Sequence, residues 1–99
     1  MNDFKPIQIA QNAQYEILAT QSANKIPEEY GLRVGVKGGA CSSQFMLGFD
    51  IPTSNDQIYW IDGIKVLIDK RHLMYVIGTE IGFEENDHGA GFTVYKLHS

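Results

Sequence analysis

Cysteine is almost missing from this chain: Cys41 is the only one in 99 residues. A disulfide within one chain is therefore excluded, and so is any metal site built from several cysteines of one chain. Long apolar runs are missing as well. Stretches such as Leu73-Met74-Tyr75-Val76-Ile77 fall far short of the roughly 18–20 residues of a membrane span, so no membrane partner is expected. Positive charge is scarce and scattered. Lys and Arg number 8 against 12 Asp and Glu, for a net charge of −4, and only Lys70 and Arg71 are adjacent. A chain this acidic, without a basic block, is a poor match for a phosphate backbone, so no nucleic-acid partner is expected. Residues Met1 to Ala10 include Asp3, Lys5 and Pro6 and no apolar block, which predicts no secretory signal and a cytoplasmic location. No internal repeat or low-complexity tract is present.

What remains is an ordinary globular composition, 43% apolar and 20% charged. The length predicts a single domain over 1–99. A chain of this size buries about 60–65% of its unfolded surface, enough for a thin core.

The spacing of apolar residues predicts the elements. Ile7 and Ile9 flank Gln8 behind Pro6, which reads as an edge strand. From Ala10 to Asn24 there is no Gly or Pro. Ala13 and Ile17, with Tyr15, Leu18 and Ala19, have helical spacing, although no capping side chain opens the segment. Pro27-Glu28-Glu29 predicts a polar loop. Leu32, Val34 and Val36 alternate, then Phe45, Leu47 and Phe49 alternate, with Gly38-Gly39 between them. This is a hairpin with Cys41 in or beside its turn. Pro52 to Asp56 is a turn cluster. Ile58-Tyr59-Trp60-Ile61 and Ile64, Val66, Ile68 flank Asp62-Gly63, a strong hairpin signal. Asp69 is expected to cap a short helix bearing Leu73, Val76 and Ile77, with Gly78 as its stop. Ile81 and Phe83 predict a strand, Glu84 to Gly89 an acidic loop, and Phe92, Val94 and Leu97 a last strand. The sum is an α+β, mostly β domain of about six or seven short strands and two helices. Short turns favour antiparallel pairing. One helix is expected over the sheet near the N-terminus and the second at its edge. Most of Phe45, Phe49, Tyr59, Trp60, Phe83 and Phe92 are expected in the core, the rest at a subunit interface.

Cys41 is the first candidate for chemistry. Gly38 and Gly39 can expose backbone N–H groups, which with the Ser42 and Ser43 hydroxyls can stabilise a thiolate or an anion. The plainer reading is a small buried hydrophobe. A cysteine nucleophile needs a base, and nothing local ties His72, His88 or His98 to Cys41, so no enzyme is expected. Glu80, Glu84, Glu85, Asp87 and His88 form an acidic group that can hold a divalent metal but lacks the spacing of a calcium loop, and a solvated loop fits it better. Gly35 to Gly39 is not a phosphate loop, since no Gly-Lys-Ser/Thr follows.

Gly31-Leu32-Arg33-Val34-Gly35-Val36-Lys37-Gly38-Gly39-Ala40-Cys41-Ser42-Ser43 resembles the first cysteine region of the HesB-like family, the A-type iron–sulfur carriers of IscA and SufA type. Gly63-Ile64-Lys65-Val66-Leu67-Ile68-Asp69 resembles the family's strand leading to its second helix. Gly78-Thr79-Glu80-Ile81-Gly82-Phe83 and Gly91-Phe92-Thr93-Val94 resemble the end of its domain. The likeness runs from about Ile7 to Val94.

The resemblance implies a compact twisted double sheet or barrel-like fold with two helices. It implies a homodimer or homotetramer, with iron–sulfur assembly proteins and apo-protein clients as further partners. It also implies iron or a [2Fe–2S] cluster as cofactor, held in the family by three cysteines. One stands where Cys41 stands; the others form a Cys-Gly-Cys near the C-terminus. This sequence reads Tyr95-Lys96-Leu97-His98-Ser99 and contains no such motif, and Ala40 and Ser43 replace the usual flanking glycines. Only the Cys41 ligand carries over, as the single cofactor-binding and metal-binding residue. A [2Fe–2S] cluster takes four ligands, usually thiolates. One thiolate per chain gives two in a dimer and four in a tetramer, unless small thiols, partner cysteines, Glu80, His88 or His98 contribute. The expected role is an iron–sulfur assembly accessory protein with Cys41 shared between subunits. The alternative is a HesB-like interaction module that no longer binds a cluster.

Overall fold

The computed structural model describes residues 4–37 and 44–97. Among these residues the order is β1 (Ile7–Ile9), α1 (Gln11–Ala23), β2 (Gly31–Lys37), β3 (Gln44–Asp50), β4 (Asp56–Ile61), β5 (Ile64–Asp69), α2 (Leu73–Val76), β6 (Thr79–Asn86) and β7 (Gly89–Lys96). The strands form two sheets, ordered β1-β6-β7 and β3-β2-β5-β4. The mostly β fold with two helices is as expected.

Pairing follows short turns wherever consecutive strands meet. β2 with β3, β4 with β5, and β6 with β7 are antiparallel. Two further contacts are parallel, β1 with β6 and β2 with β5, which the short-turn rule did not anticipate. They arise because β5 inserts between β2 and β4, while the chain returns late to lay β6 beside β1.

The core is aliphatic. Ile7, Ile9, Ala13, Ile17, Leu32, Val34, Ile61, Ile64, Val66, Ile68, Val76 and Ile81 form one buried cluster between the sheets and α1. The expectation of an aromatic core is corrected. Phe49, Tyr59 and Phe83 only line its margin, while Trp60 is 67% exposed and Phe45 and Phe92 are also exposed. The reason is position: Phe45 and Phe49 lie on edge strand β3, Tyr59 and Trp60 on edge strand β4, and Phe92 on edge strand β7.

α1 begins at Ala10 without a side-chain cap. Tertiary bonds replace it. The Ala10 N–H donates to the Ile81 carbonyl at 2.9 Å, and Asn12 Nδ2 donates to the Phe83 carbonyl at 2.8 Å, so the first turn is pinned to β6. Ala13 and Ile17 face the core as predicted, whereas Tyr15 and Leu18 are exposed. Asp62 (φ 52°) and Gly63 (φ 81°) form the expected tight turn between β4 and β5, with both central residues left-handed.

Three expectations are revised. Asp69 ends β5 instead of capping α2; the helix starts after His72, and the Asp69 carboxylate accepts the Arg71 N–H at 2.8 Å and its guanidinium. α2 packs on β2, an inner strand, and not at a sheet edge. Glu84, Glu85 and Asn86 are not a loop but pair with Gly91, Ala90 and Gly89 across the β6–β7 hairpin. A solvated hairpin tip has no buried face, so no alternation marks it in the sequence. Among the described residues no helix is long and apolar enough to cross a membrane.

Candidate functional site

β2 and β3 stay in register from Gly31 opposite Asp50 to Lys37 opposite Gln44. Lys37 and Gln44 thus form the base of the connection 38–43. Cys41, with Gly38, Gly39, Ser42 and Ser43, belongs to that connection and lies outside the described residues. So does His98.

The base is held from both faces. On one face Leu32 and Val34 are buried in the core and Val36 packs against it. On the other lies His72, at the start of α2. A Cβ on Gly35 would stand 2.8 Å from His72 Nδ1, so only glycine lets the ring sit there. The Val36 N–H donates to His72 Nδ1 over a long 3.5 Å. Of the histidines predicted to have no tie to Cys41, His72 is placed at the foot of the hairpin that carries it. His88 is exposed in the β6–β7 turn, on the other sheet.

Arg33 points to the outer face of β2 and gathers two carboxylates. Its Nε bonds Asp50 Oδ2 at 2.8 Å, and its two terminal nitrogens bond the oxygens of Asp56 at 2.6 and 2.7 Å. The Asp56 side chain is fully buried and also accepts the Thr53 N–H at 2.7 Å. The guanidinium of Arg33 holds the Asp56 carboxyl below its ordinary range. Asp50 is lowered first by the Ile51 N–H and then by Arg33. Arg33, in turn, is raised above its already high value, chiefly by Asp56. This network ties β2 and β3 to β4 across the outer face of β5. Sequence reading passed over it, treating Arg33 as one scattered cation. The signal available was an Arg on the polar side of an alternating strand, with two aspartates flanking the connection 51–55 that follows.

The acidic group does not converge. Glu84 is bonded by the Tyr95 hydroxyl at 2.7 Å across the hairpin, which raises the Tyr95 phenol above its usual value. Among the described residues no three His, Cys, Asp or Glu side chains are grouped to hold a metal ion. Thiol chemistry in this chain therefore rests on Cys41.

No family model matches the chain. Individual proteins do. It is 34% identical over 89 residues to a putative iron–sulfur cluster insertion protein, ErpA, of Nitrosospira multiformis, covering 79% of this chain and 69% of that protein. It is 43% identical over 65 residues to an uncharacterised protein named SufA of Bacillus subtilis, covering 64% of this chain and 54% of that one. The chain thus spans little more than half the length of the Bacillus subtilis relative. Its fold matches the crystal structure of Escherichia coli SufA, involved in biosynthesis of iron–sulfur clusters, with a TM-score of 0.73 at 23% identity, over 96% of this chain and 85% of that one. It also matches IscA with the [2Fe–2S] cluster, with a TM-score of 0.70 at 17% identity, over 91% and 81% of the two chains. The order of strands, the two helices and the relationship to the Nitrosospira protein agree: the chain belongs to the HesB-like family of A-type iron–sulfur carriers.

Proposed function

We propose that this chain is an iron–sulfur cluster assembly accessory protein. Its cargo is iron or a [2Fe–2S] cluster, held through the Cys41 thiolate and shared between subunits or with an acceptor protein. The observation that carries the reading is kinship with the Nitrosospira multiformis insertion protein over 79% of the chain, a span that includes most of the fold around the Cys41 hairpin. The neighbour IscA, with its [2Fe–2S] cluster, supports the choice of cargo.

The protein's own part is limited and definite. The paired ends at Lys37 and Gln44 anchor the connection that carries Cys41. Each chain supplies one thiolate, so four ligands require four chains, or two chains with external thiols. A site completed from outside releases its cargo when the outside ligands leave, which suits transfer. In that exchange the bond from the Cys41 thiolate to iron breaks as a bond from an acceptor ligand forms, a ligand exchange without change of oxidation state, so the role is carriage.

Anaerobic reconstitution with ferrous iron and sulfide tests the reading. The native chain is expected to gain a visible chromophore at a fixed iron-to-chain ratio, and Cys41→Ser to lose it while staying folded. A second reading, a cluster-free interaction module, is favoured by the single cysteine, which leaves each chain three ligands short of a cluster. A well-folded native chain that takes up no iron selects that reading and overturns the first.

A further inference from the structure

A cleft of about 490 Å³ opens between the loop after α1 and the β4–β5 turn. That volume suits a small molecule. One wall is the loop 24–30, which backbone bonds hold in place. The Ile26 N–H donates to the Gln21 carbonyl at 2.9 Å, and the Tyr30 N–H to the Pro27 carbonyl at 3.0 Å. The other wall is the β4–β5 hairpin, where Trp60 stands opposite Lys65 in the ladder. Opposed residues of an antiparallel pair put their side chains on one face.

The lining has unspent capacity of two kinds. The first is aromatic surface: Trp60 is 67% exposed and Tyr30 is half-buried. A ligand ring can still bury the indole face. The second is hydrogen bonding. Among the described residues the Trp60 indole N–H, the Tyr30 hydroxyl and the Gln21 side-chain amide make no hydrogen bond.

Charge decides what kind of ring fits. One cation and one anion line the cleft, Lys65 and Glu28. They are not equivalent. Glu28 is exposed on the loop, where water screens it. Lys65 is half-buried on a strand, beside the indole, and its field is screened less. Its ammonium donates to the Glu29 carbonyl at 3.3 Å and keeps two of its three donors. The indole N–H also donates and cannot accept. A cationic ring would meet both of these donors at the aromatic wall.

We propose that this cleft is a binding site for a small aromatic carboxylate. The ring lies on Trp60, and the carboxylate accepts from the Lys65 ammonium. The Tyr30 hydroxyl and the Gln21 amide remain for polar substituents on the ring. The site does not rest on the cargo reading. Tyr30 adjoins the Gly31 end of β2, and the Cys41 connection leaves from Lys37, roughly 20 Å along the strand.

The test uses the full chain, reduced and iron-free. Trp60 is the only tryptophan, so its indole N–H resonance reports the cleft directly. Benzoate, benzamide and benzamidinium present the same ring with negative, neutral and positive heads. Benzoate is expected to shift that resonance saturably with a Kd of about 1 mM or tighter, at least about tenfold tighter than benzamide, with benzamidinium weakest. Lys65→Gln is expected to bring benzoate down to the affinity of benzamide and to leave benzamide unchanged, with an unchanged circular dichroism spectrum. Glu28→Gln, on the exposed loop, is expected to bind benzoate as well as the native chain or better, and it serves as the check if Lys65→Gln does not fold. No saturable shift with benzoate, equal affinity for the three probes, tightest binding of benzamidinium, a benzoate preference that survives in folded Lys65→Gln, or loss of benzoate binding in folded Glu28→Gln overturns the proposal.

Discussion

Gly35 and His72 make the closest packing at the foot of the Cys41 hairpin. The missing Cβ of Gly35 leaves room for the imidazole, whose Nδ1 faces the Val36 N–H. Gly35→Ala places a methyl 2.8 Å from His72 Nδ1, so the imidazole must shift and give up its contact with the Val36 N–H. We expect a loss of about 1–3 kcal/mol in denaturant unfolding. His72→Ala removes the obstacle, so the double variant is expected to be less destabilised than the sum of the two single variants. Additive losses would show that the pair does not interact. Arg33 teaches a related lesson. Alternation places its side chain on the polar face of β2, but nothing local names Asp50 and Asp56 as its partners. They come from 17 and 23 residues away. Residue-scale contacts of that range depend on strand order, which no periodicity reveals.

At the scale of elements, the hairpins were the most legible part. Asp62-Gly63 between two β-rich runs gave its turn, and the alternation of Leu32, Val34 and Val36 with Phe45, Leu47 and Phe49 gave its pairing. These signals are local, so one sequence carries them. The β6–β7 tip was misread because its residues are solvated on both faces and have no apolar period. The start of α2 was misread because Asp69 uses its carboxylate on Arg71 two residues ahead, a local bond that competes with capping. The hairpin reading makes a contrast between two glycines. Gly63 sits at φ 81°, and Gly63→Ala is expected to cost about 1 kcal/mol through left-handed strain, although nothing stands near its Cβ. Gly48 lies in β3 with open space around it and no such φ. Gly48→Ala is expected to be neutral or to stabilise by about 0.5 kcal/mol, since it narrows the unfolded ensemble. Thermal unfolding of both variants beside the native chain checks the contrast, and equal losses would contradict it.

For the whole molecule, the fold depends on a join that short turns do not supply. The β2–β3 hairpin carries Cys41, the β4–β5 hairpin carries Trp60, and β2 touches β5 in parallel at only a few positions. Arg33 reinforces that join by reaching from β2 to Asp50 on β3 and Asp56 on β4. Because Asp56 is buried and shares its oxygens with both Arg33 and Thr53, removing the guanidinium leaves a buried carboxylate with half its partners. Arg33 is partly open to solvent, which tempers the cost; we expect Arg33→Ala to lose about 2–3 kcal/mol. Arg33→Lys is expected to recover little, since three separate nitrogens of the planar guanidinium meet Asp50 Oδ2 and the two oxygens of Asp56, and a single ammonium nitrogen offers no such fork. The pH dependence follows from the direction of the shifts. Asp50 and Asp56 are both lowered in the folded state, so the unfolded chain takes up protons first as the pH falls. Their contribution is complete above the ordinary carboxylate range, near pH 4, and is lost as the pH drops through the lowered folded values. In Arg33→Ala the main cause of the Asp56 lowering is gone. Stability measured from pH 7 down to pH 2 is therefore expected to fall less steeply below about pH 4 than in the native chain, and the two curves are expected to converge at the acid end. Parallel curves across that range would mean that Arg33 stabilises the fold by packing alone, and the join between the two hairpins would then have to rest on the parallel β2–β5 ladder and the aliphatic core.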